Sequence, residues 1–144
     1  MTESPTMTAE TDTATKLPTL VADGAWIRPW LRAEGLATFA AGLIGFLLLG
    51  LPWWAFVLLL ILPDVSMAGY LRGPRVGAIV YNVAHDLAAG VAVAGVGLAI
   101  GSVAVAAIGA ILVAHSGMDR MAGYGLKLPS SFQDTHLGRI GRSH

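Results

Sequence analysis

The sequence predicts an all-α integral membrane protein, a four-helix bundle, on three observations. Hydrophobic residues make up 55 % of the 144 residues and charged residues only 12 %, which is about half the charge of an ordinary soluble domain. Apolar runs recur along the chain at the length of about 20 residues that a bilayer-crossing helix needs. Four crossings also place all basic residues on one side of the membrane, as the charge pattern below shows.

The four helices are predicted at about residues 33–50, 53–71, 76–96 and 102–120, within one transmembrane domain covering 20–144. The last two come from one apolar stretch that is too long for a single crossing, and the glycines at 97 and 101 favour a turn inside it. Residues 1–19 contain few large apolar side chains, which predicts a short disordered N-terminal tail. Residues 121–144 are too polar to span and are expected to form a cytoplasmic C-terminal segment.

The distribution of charge predicts the orientation. The nine basic residues lie in the N-terminal part, in the turn between helices two and three, and at or after the end of helix four. The two opposite turns, near residues 50–52 and 96–102, contain no charged residue. Because cytoplasmic loops are enriched in Lys and Arg, we expect a multi-pass protein of the inner (plasma) membrane with both termini in the cytoplasm.

Composition also limits the classes of ligand. The formal net charge is +0, and a nucleic-acid partner is not expected because phosphate binding needs a basic face. The chain has no Cys, which excludes disulfides and thiolate metal sites. Any metal ion would therefore depend on His and carboxylate ligands.

Ionisable residues inside the predicted helices are the main candidates for function, because each costs about 2.5–3.5 kcal/mol to insert at a helix centre. Asp64 lies on helix two, His85 on helix three, and His115 and Asp119 on helix four. Their distances in sequence from Arg72, Arg75 and Arg120 place them all in the inner half of the membrane. The spacing of four residues puts Tyr81 beside His85 and His115 beside Asp119.

These residues predict a polar pocket that faces the cytoplasm. Imidazole and carboxylate groups suit a divalent ion such as zinc, manganese or iron, so the candidate metal ligands are Asp64, His85, His115 and Asp119. The same four residues are candidate catalytic residues for metal-dependent hydrolysis or transfer on a lipid-like or amphiphilic substrate. The candidate substrate-binding residues are Tyr70, Arg75, Tyr81, Asn82, Arg120 and Lys127, whose cations suit a lipid phosphate.

The chain from Arg32 onward resembles the small bacterial membrane proteins of domain of unknown function family 4260. The matching stretches are Pro63-Asp64-Val65-Ser66-Met67-Ala68-Gly69-Tyr70, Gly73-Pro74-Arg75-Val76-Gly77-Ala78, Tyr81-Asn82-Val83-Ala84-His85, His115-Ser116-Gly117-Met118-Asp119-Arg120 and Asp134-Thr135-His136-Leu137-Gly138. The resemblance covers about four-fifths of the chain and implies no mechanism, because the family's function is unknown. The resemblance adds His136, in the last of these stretches, to the candidate catalytic residues. Asp86 stands where the resemblance leads us to expect an uncharged residue.

Two other functions remain open at this stage. Asp, His and Asn on facing helices could relay protons or small solutes, although the outer half of the bundle contains no ionisable group. The polar residues could instead be hydrogen-bonded contacts in a structural or partner-binding protein. Small residues spaced by four, such as Ala106 and Ala110, favour close helix packing and allow either a monomer or a homo-oligomer.

Overall fold

The structure, a computed structural model, describes residues 27–140 and is mostly helical. The predicted disordered tail, 1–19, and the last four residues, 141–144, lie outside the described part. The elements in chain order are α1 (Arg28–Leu48), α2 (Trp53–Leu60), a 3₁₀ helix (Leu62–Arg72), α3 (Pro74–His85), α4 (Leu87–Ala99), α5 (Val103–Ala122), β1 (Asp134–Thr135) and β2 (Gly138–Arg139). The predicted all-α class is confirmed, with a small antiparallel hairpin added near the C-terminus.

Three helical segments are long and apolar enough to cross a membrane: α1, α2 with the 3₁₀ helix, and α5. The pair α3 and α4 passes the same test together and is bent by 48° at the break between them. Counted as one span, this pair brings the number to the predicted four. The length and apolar character of these helices agree with a membrane protein, while the direction in which they cross stays a prediction.

The helix bounds differ from the predicted ones where proline or a polar residue intervenes. Helix one begins at Arg28 instead of residue 33, since Pro29 is favourable in a first helical turn. Helix two is α-helical only to Leu60 and continues as a 3₁₀ helix. Pro63 has no N–H for the α-helical ladder and its ring would collide with the carbonyl one turn earlier, which accounts for the change.

The third predicted helix, 76–96, is two helices that meet at Asp86. The backbone of Asp86 is extended (φ −80°, ψ 124°), and its side chain accepts a hydrogen bond from the Ala88 backbone N–H as the N-cap of α4. Such a cap satisfies one of the donors that a helix start leaves unpaired. The break therefore places His85 at the carboxyl end of α3.

Helix α5 is the centre of the fold and packs along α1 on one side and α4 on the other. Glycine lets the helix backbones approach each other closely. A Cβ atom on Gly42 of α1 would lie 2.5 Å from the backbone nitrogen of Ala114 of α5. Small residues allow this backbone contact, which is how helices associate where water cannot drive them together. Phe46 and Phe56 fill the rest of the core against α5, with ring centroids 5.5 Å apart.

The remaining elements gather at the end of the bundle where α5 stops. The 3₁₀ helix packs on α3, with the Tyr70 ring against Gly77. After the left-handed C-cap at Gly123 (φ +93°), the chain forms the C-terminal segment, which we define as residues 124–140. Within this segment, Lys127 pairs with Thr135 of β1 in an isolated antiparallel bridge.

Candidate functional site

Three helical elements bring Asp64, His85 and His115 together. Asp64 comes from the 3₁₀ helix, His85 from the last position of α3, and His115 from the middle of α5. The Nε2 atoms of the two imidazoles are 3.0 Å apart, and each lies 3.4 Å from Oδ1 of Asp64. The three atoms form a nearly equilateral triangle, here called the ligand triangle.

Backbone carbonyls fix the orientation of both imidazoles. Nδ1 of His85 lies 2.8 Å from the carbonyl oxygen of Tyr81, and Nδ1 of His115 lies 2.6 Å from the carbonyl oxygen of Leu60. Because a carbonyl can only accept, Nδ1 must donate in both pairs. Each neutral ring therefore presents a lone pair at Nε2, and both lone pairs point into the ligand triangle.

The triangle consists of acceptors with no donor between them when both imidazoles are neutral. Asp119 adds a fourth acceptor group, with its carboxylate oxygens 3.8 Å from Nε2 of His85 and 3.9 Å from Nε2 of His115. Converging acceptors repel one another unless a proton or a cation lies among them. The electrostatics of the site therefore favour a positive charge at its centre.

The dimensions of the triangle match the coordination of one metal ion. Zinc binds imidazole nitrogen and carboxylate oxygen at about 2.0–2.2 Å, so neighbouring ligands of one ion lie about 3–3.5 Å apart. The three edges of 3.0, 3.4 and 3.4 Å fall in that range. Nδ1 donation to a carbonyl is also the usual way in which a protein orients a metal-ligating imidazole. Asp64, His85 and His115 could thus hold an ion without rearrangement.

Tyr81 supports the site from the adjacent turn of α3. Its hydroxyl donates to Oδ2 of Asp119 at 2.8 Å, and its ring stacks on the His85 imidazole with centroids 3.6 Å apart. One side chain thus orients a carboxylate and an imidazole of the same cluster. Such outer contacts usually tune the affinity of a metal site by 10- to 100-fold.

The site is buried on the bundle side and open on another. His85 and His115 are buried, whereas the Asp64 side chain is 42 % exposed. A small cleft of about 10 Å³ adjoins the cluster, lined by Tyr81, His85, Ser116, Asp119, Arg120, Tyr124, Gly125 and Leu126. This space is about that of one water molecule, so water could reach the cluster from the end of the bundle that the C-terminal segment covers.

The C-terminal segment is attached beside the cluster through Asn82. The amide nitrogen of Asn82 donates to the carbonyl of Lys127 at 2.9 Å, and its amide oxygen accepts from the Lys127 backbone N–H at 2.7 Å. This pair of bonds holds Lys127 above Tyr81, with Nζ 5.2 Å from the ring centroid. Burial lowers the pKa of Lys127, and the carboxylate of Asp119 opposes the shift.

Two of the predicted site residues do not join the cluster. His136 is exposed on the C-terminal segment, where its Nδ1 accepts a hydrogen bond from the Leu126 backbone N–H at 2.9 Å. This bond gives His136 a local role in the fold of that segment. Arg75 is exposed on the first turn of α3. The roles assigned from sequence to the predicted residues stay predictions, although Asp64, His85, His115 and Asp119 do lie together.

Sequence reasoning missed three contributors to the site. The carbonyl of Leu60 has no sequence signal apart from the nearby Pro63, which ends the α-helical ladder. Ser116 donates its hydroxyl to the His85 carbonyl at 2.9 Å, and its position directly after His115 could have suggested a polar contact at the same depth. Phe132 lies under Nζ of Lys127, 4.0 Å from the ring centroid, and only the folded segment reveals it.

The fold and the cluster define an all-helical protein of membrane type with a buried pair of histidines flanked by carboxylates. The family model described as domain of unknown function (DUF4260) matches residues 28–140, and the chain belongs to this family. Searches among curated proteins and among solved structures gave no match. The family assignment agrees with the resemblance seen in the sequence.

Proposed function

We propose that this protein is a membrane-embedded metal-dependent hydrolase or transferase that acts on a lipid-like substrate at the cytoplasmic leaflet. The observation that carries the proposal is the ligand triangle of Asp64, His85 and His115, in which both imidazoles are turned inward by backbone carbonyls. Three protein ligands that leave a further position open are typical of catalytic zinc sites.

The surroundings of the triangle support chemistry at the ion. A bound divalent ion would make hydroxide available from water near neutral pH and would polarise a phosphoryl or acyl oxygen. Asp119 lies beside the triangle and receives the Tyr81 hydroxyl, so it could serve as a fourth ligand or as the base that accepts a proton from water. The partly exposed Asp64 gives the open side on which a substrate could bind.

The location supports a substrate that resides in the membrane. The apolar helices argue for a bilayer around the protein, and the cluster lies near the end of α5, close to Arg120. Arg120 lines the adjoining cleft, and a cation at this level could contact an anionic headgroup. These features favour a lipid-like substrate over a fully soluble one.

The test is metal analysis of the purified protein in nanodiscs, with His85→Asn and His115→Asn as variants. An asparagine amide can still donate to the carbonyl that the histidine Nδ1 contacts, while the Nε2 ligand is lost. We expect about one equivalent of zinc, manganese or iron in the wild type. Each variant should lose metal affinity by at least 100-fold, because loss of a ligand should exceed the 10- to 100-fold effect of losing an outer contact. His136→Asn is the matched control and should retain the metal.

Two outcomes would contradict the proposal. One is a folded wild-type protein that takes up none of the three ions; the other is a variant that binds metal as the wild type does. If a variant fails to fold, thermal unfolding of the wild type tests whether metal binds. An ion present at 100 times its Kd stabilises the native state by about 2.7 kcal/mol. A chelator should remove this stabilisation. Hydrolysis of vesicle-presented lipid esters and phosphoesters should then require both the ion and His115.

A further inference from the structure

The largely buried Lys127 side chain lies beside the cluster, and among residues 27–140 no carboxylate is in contact with its ammonium group, although Asp119 acts on it from a greater distance. Lys127 is 5 % exposed, and its backbone is held on both sides by the Asn82 amide. Within residues 27–140 no carboxylate oxygen approaches its Nζ to within 4.0 Å. Its close neighbours are instead the rings of Tyr81 and Phe132. Buried charges are normally paired, so a lysine in this position indicates an anion that completes the site.

Unpartnered hydroxyl groups occur in the same part of the molecule. Of the side chains in residues 27–140, the buried hydroxyls of Ser66, Tyr70 and Ser131 have no hydrogen-bond partner. The Tyr70 ring meets the Phe132 ring edge-on with centroids 5.2 Å apart, and the other neighbour of Phe132 is Nζ of Lys127. An orphaned buried donor is unfavourable, and a ligand that accepts its hydrogen bond removes the cost.

The position of these donors relative to the ligand triangle limits the class of ligand. Tyr70 belongs to the same 3₁₀ helix as Asp64, and Lys127 lies over the ring of Tyr81, whose hydroxyl binds Asp119. A ligand that accepts hydrogen bonds from both donors needs several acceptor oxygens and a negative charge. A phosphate group has both, whereas an uncharged ester would leave the ammonium unpaired.

We propose that Lys127 and Tyr70 form a binding subsite for a phosphate group, so that the substrate of the metal centre is a phosphorylated molecule. The ammonium supplies charge and the phenol a directed hydrogen bond, and the Phe132 ring contacts both side chains. This inference rests on the proposed function for the role of the ion, but the anion subsite can be tested separately.

The test measures phosphate binding to metal-loaded protein in phosphatidylcholine nanodiscs, with Lys127→Met and Tyr70→Phe as variants. The methionine keeps an unbranched apolar side chain and removes the charge. We expect Lys127→Met to weaken binding of inorganic phosphate by 10- to 100-fold and Tyr70→Phe by about 3- to 10-fold, with metal content unchanged in both. Arg75→Met is the matched control, since it removes an exposed cation and should leave phosphate binding intact.

Nanodiscs that contain phosphatidic acid distinguish the two sources of phosphate. Binding of phosphatidic acid without free phosphate would identify a lipid headgroup, and comparable binding of both would identify the phosphate group alone; either result supports the subsite. Equal phosphate affinity in wild type and Lys127→Met, or no phosphate binding by a metal-loaded wild type, would overturn it. If the wild type takes up no metal but still binds phosphate in a way that depends on Lys127, the subsite is retained and the metal centre is refuted.

Discussion

The two sides of the bundle differ in the regularity of their helices. On one side, α1 and α5 are continuous helices of 21 and 20 residues that touch backbone to backbone at Gly42 and Gly117. On the other, the second and third predicted helices are interrupted, one by the 3₁₀ helix after Leu60 and one by the extended Asp86. On the continuous side, α1 contributes packing and α5 contributes His115 and Asp119 to the site, while the interrupted side contributes Asp64, Tyr81 and His85.

The difference shows how backbone carbonyls that are freed at helix interruptions are satisfied in an apolar protein. In a bilayer, a carbonyl freed from its helix needs another donor. Here the Leu60 carbonyl accepts from His115 and the His85 carbonyl accepts from the Ser116 hydroxyl. Each interruption is therefore paired with a polar side chain of the continuous helix α5. The same contacts that satisfy the backbone also orient the cluster.

The largest effect is expected on the continuous side, from Gly42→Ala. The new Cβ atom would lie 2.5 Å from the Ala114 backbone nitrogen, so α1 and α5 must separate, and we expect a loss of about 3 kcal/mol in the free energy of unfolding. Gly45→Ala is the matched control, because its Cβ would meet nothing closer than 4.0 Å. Unfolding in mixed detergent measures both. Equal effects of the two changes would show that the close approach is unimportant.

A smaller effect is expected on the interrupted side, from Tyr81→Phe. This change removes the hydroxyl that donates to Asp119 and keeps the ring that stacks on His85. We expect metal affinity to fall by about 10- to 100-fold while the fold is retained, because outer contacts tune a metal site to that extent. Competition with a chromophoric chelator gives the affinity. An unchanged affinity would place Asp119 outside the working metal site.

The smallest effect is expected from Asn82→Ala, which tests the attachment of the C-terminal segment. Two hydrogen bonds to Lys127 are lost, each worth about 1 kcal/mol or less, so opening of the segment should become roughly 5- to 30-fold more frequent. Amide exchange at residues 124–140 measures this, with metal content unchanged. Thr38→Ala, which removes one exposed bond on α1, should have no such effect. No change with Asn82→Ala would mean that other contacts hold the segment.

The sequence was sufficient for the fold class and for the meeting of the polar residues. Apolar run lengths and the spacing of four between His115 and Asp119 depend only on helix geometry, which is independent of the rest of the fold. The depth of Asp64 and His85 in a membrane stays a prediction, and its rise per residue assumed an α-helix where the chain between Asp64 and Arg72 is a 3₁₀ helix. The positions of the polar residues in the sequence identified which elements bring them together.

Details that depend on tertiary contact could not be predicted. Nothing local to His115 indicates that its Nδ1 would meet the carbonyl of Leu60, 55 residues earlier in the chain. Nothing in the sequence indicated that the predicted third helix would break at Asp86, whose short carboxylate caps α4. His136 was included through the family resemblance, and its hydrogen bond to Leu126 became visible only in the folded segment.

The carboxylates determine the electric field at the cluster. The carbonyl termini of α2 at Leu60 and α3 at His85 lie beside the amino termini of the 3₁₀ helix and α4, which offset their partial charges. The net negative charge therefore comes from Asp64 and Asp119. This field attracts a cation and repels an anion, so the order of binding should be fixed. A metal ion should bind first, and a phosphate group should follow only after the field has been neutralised.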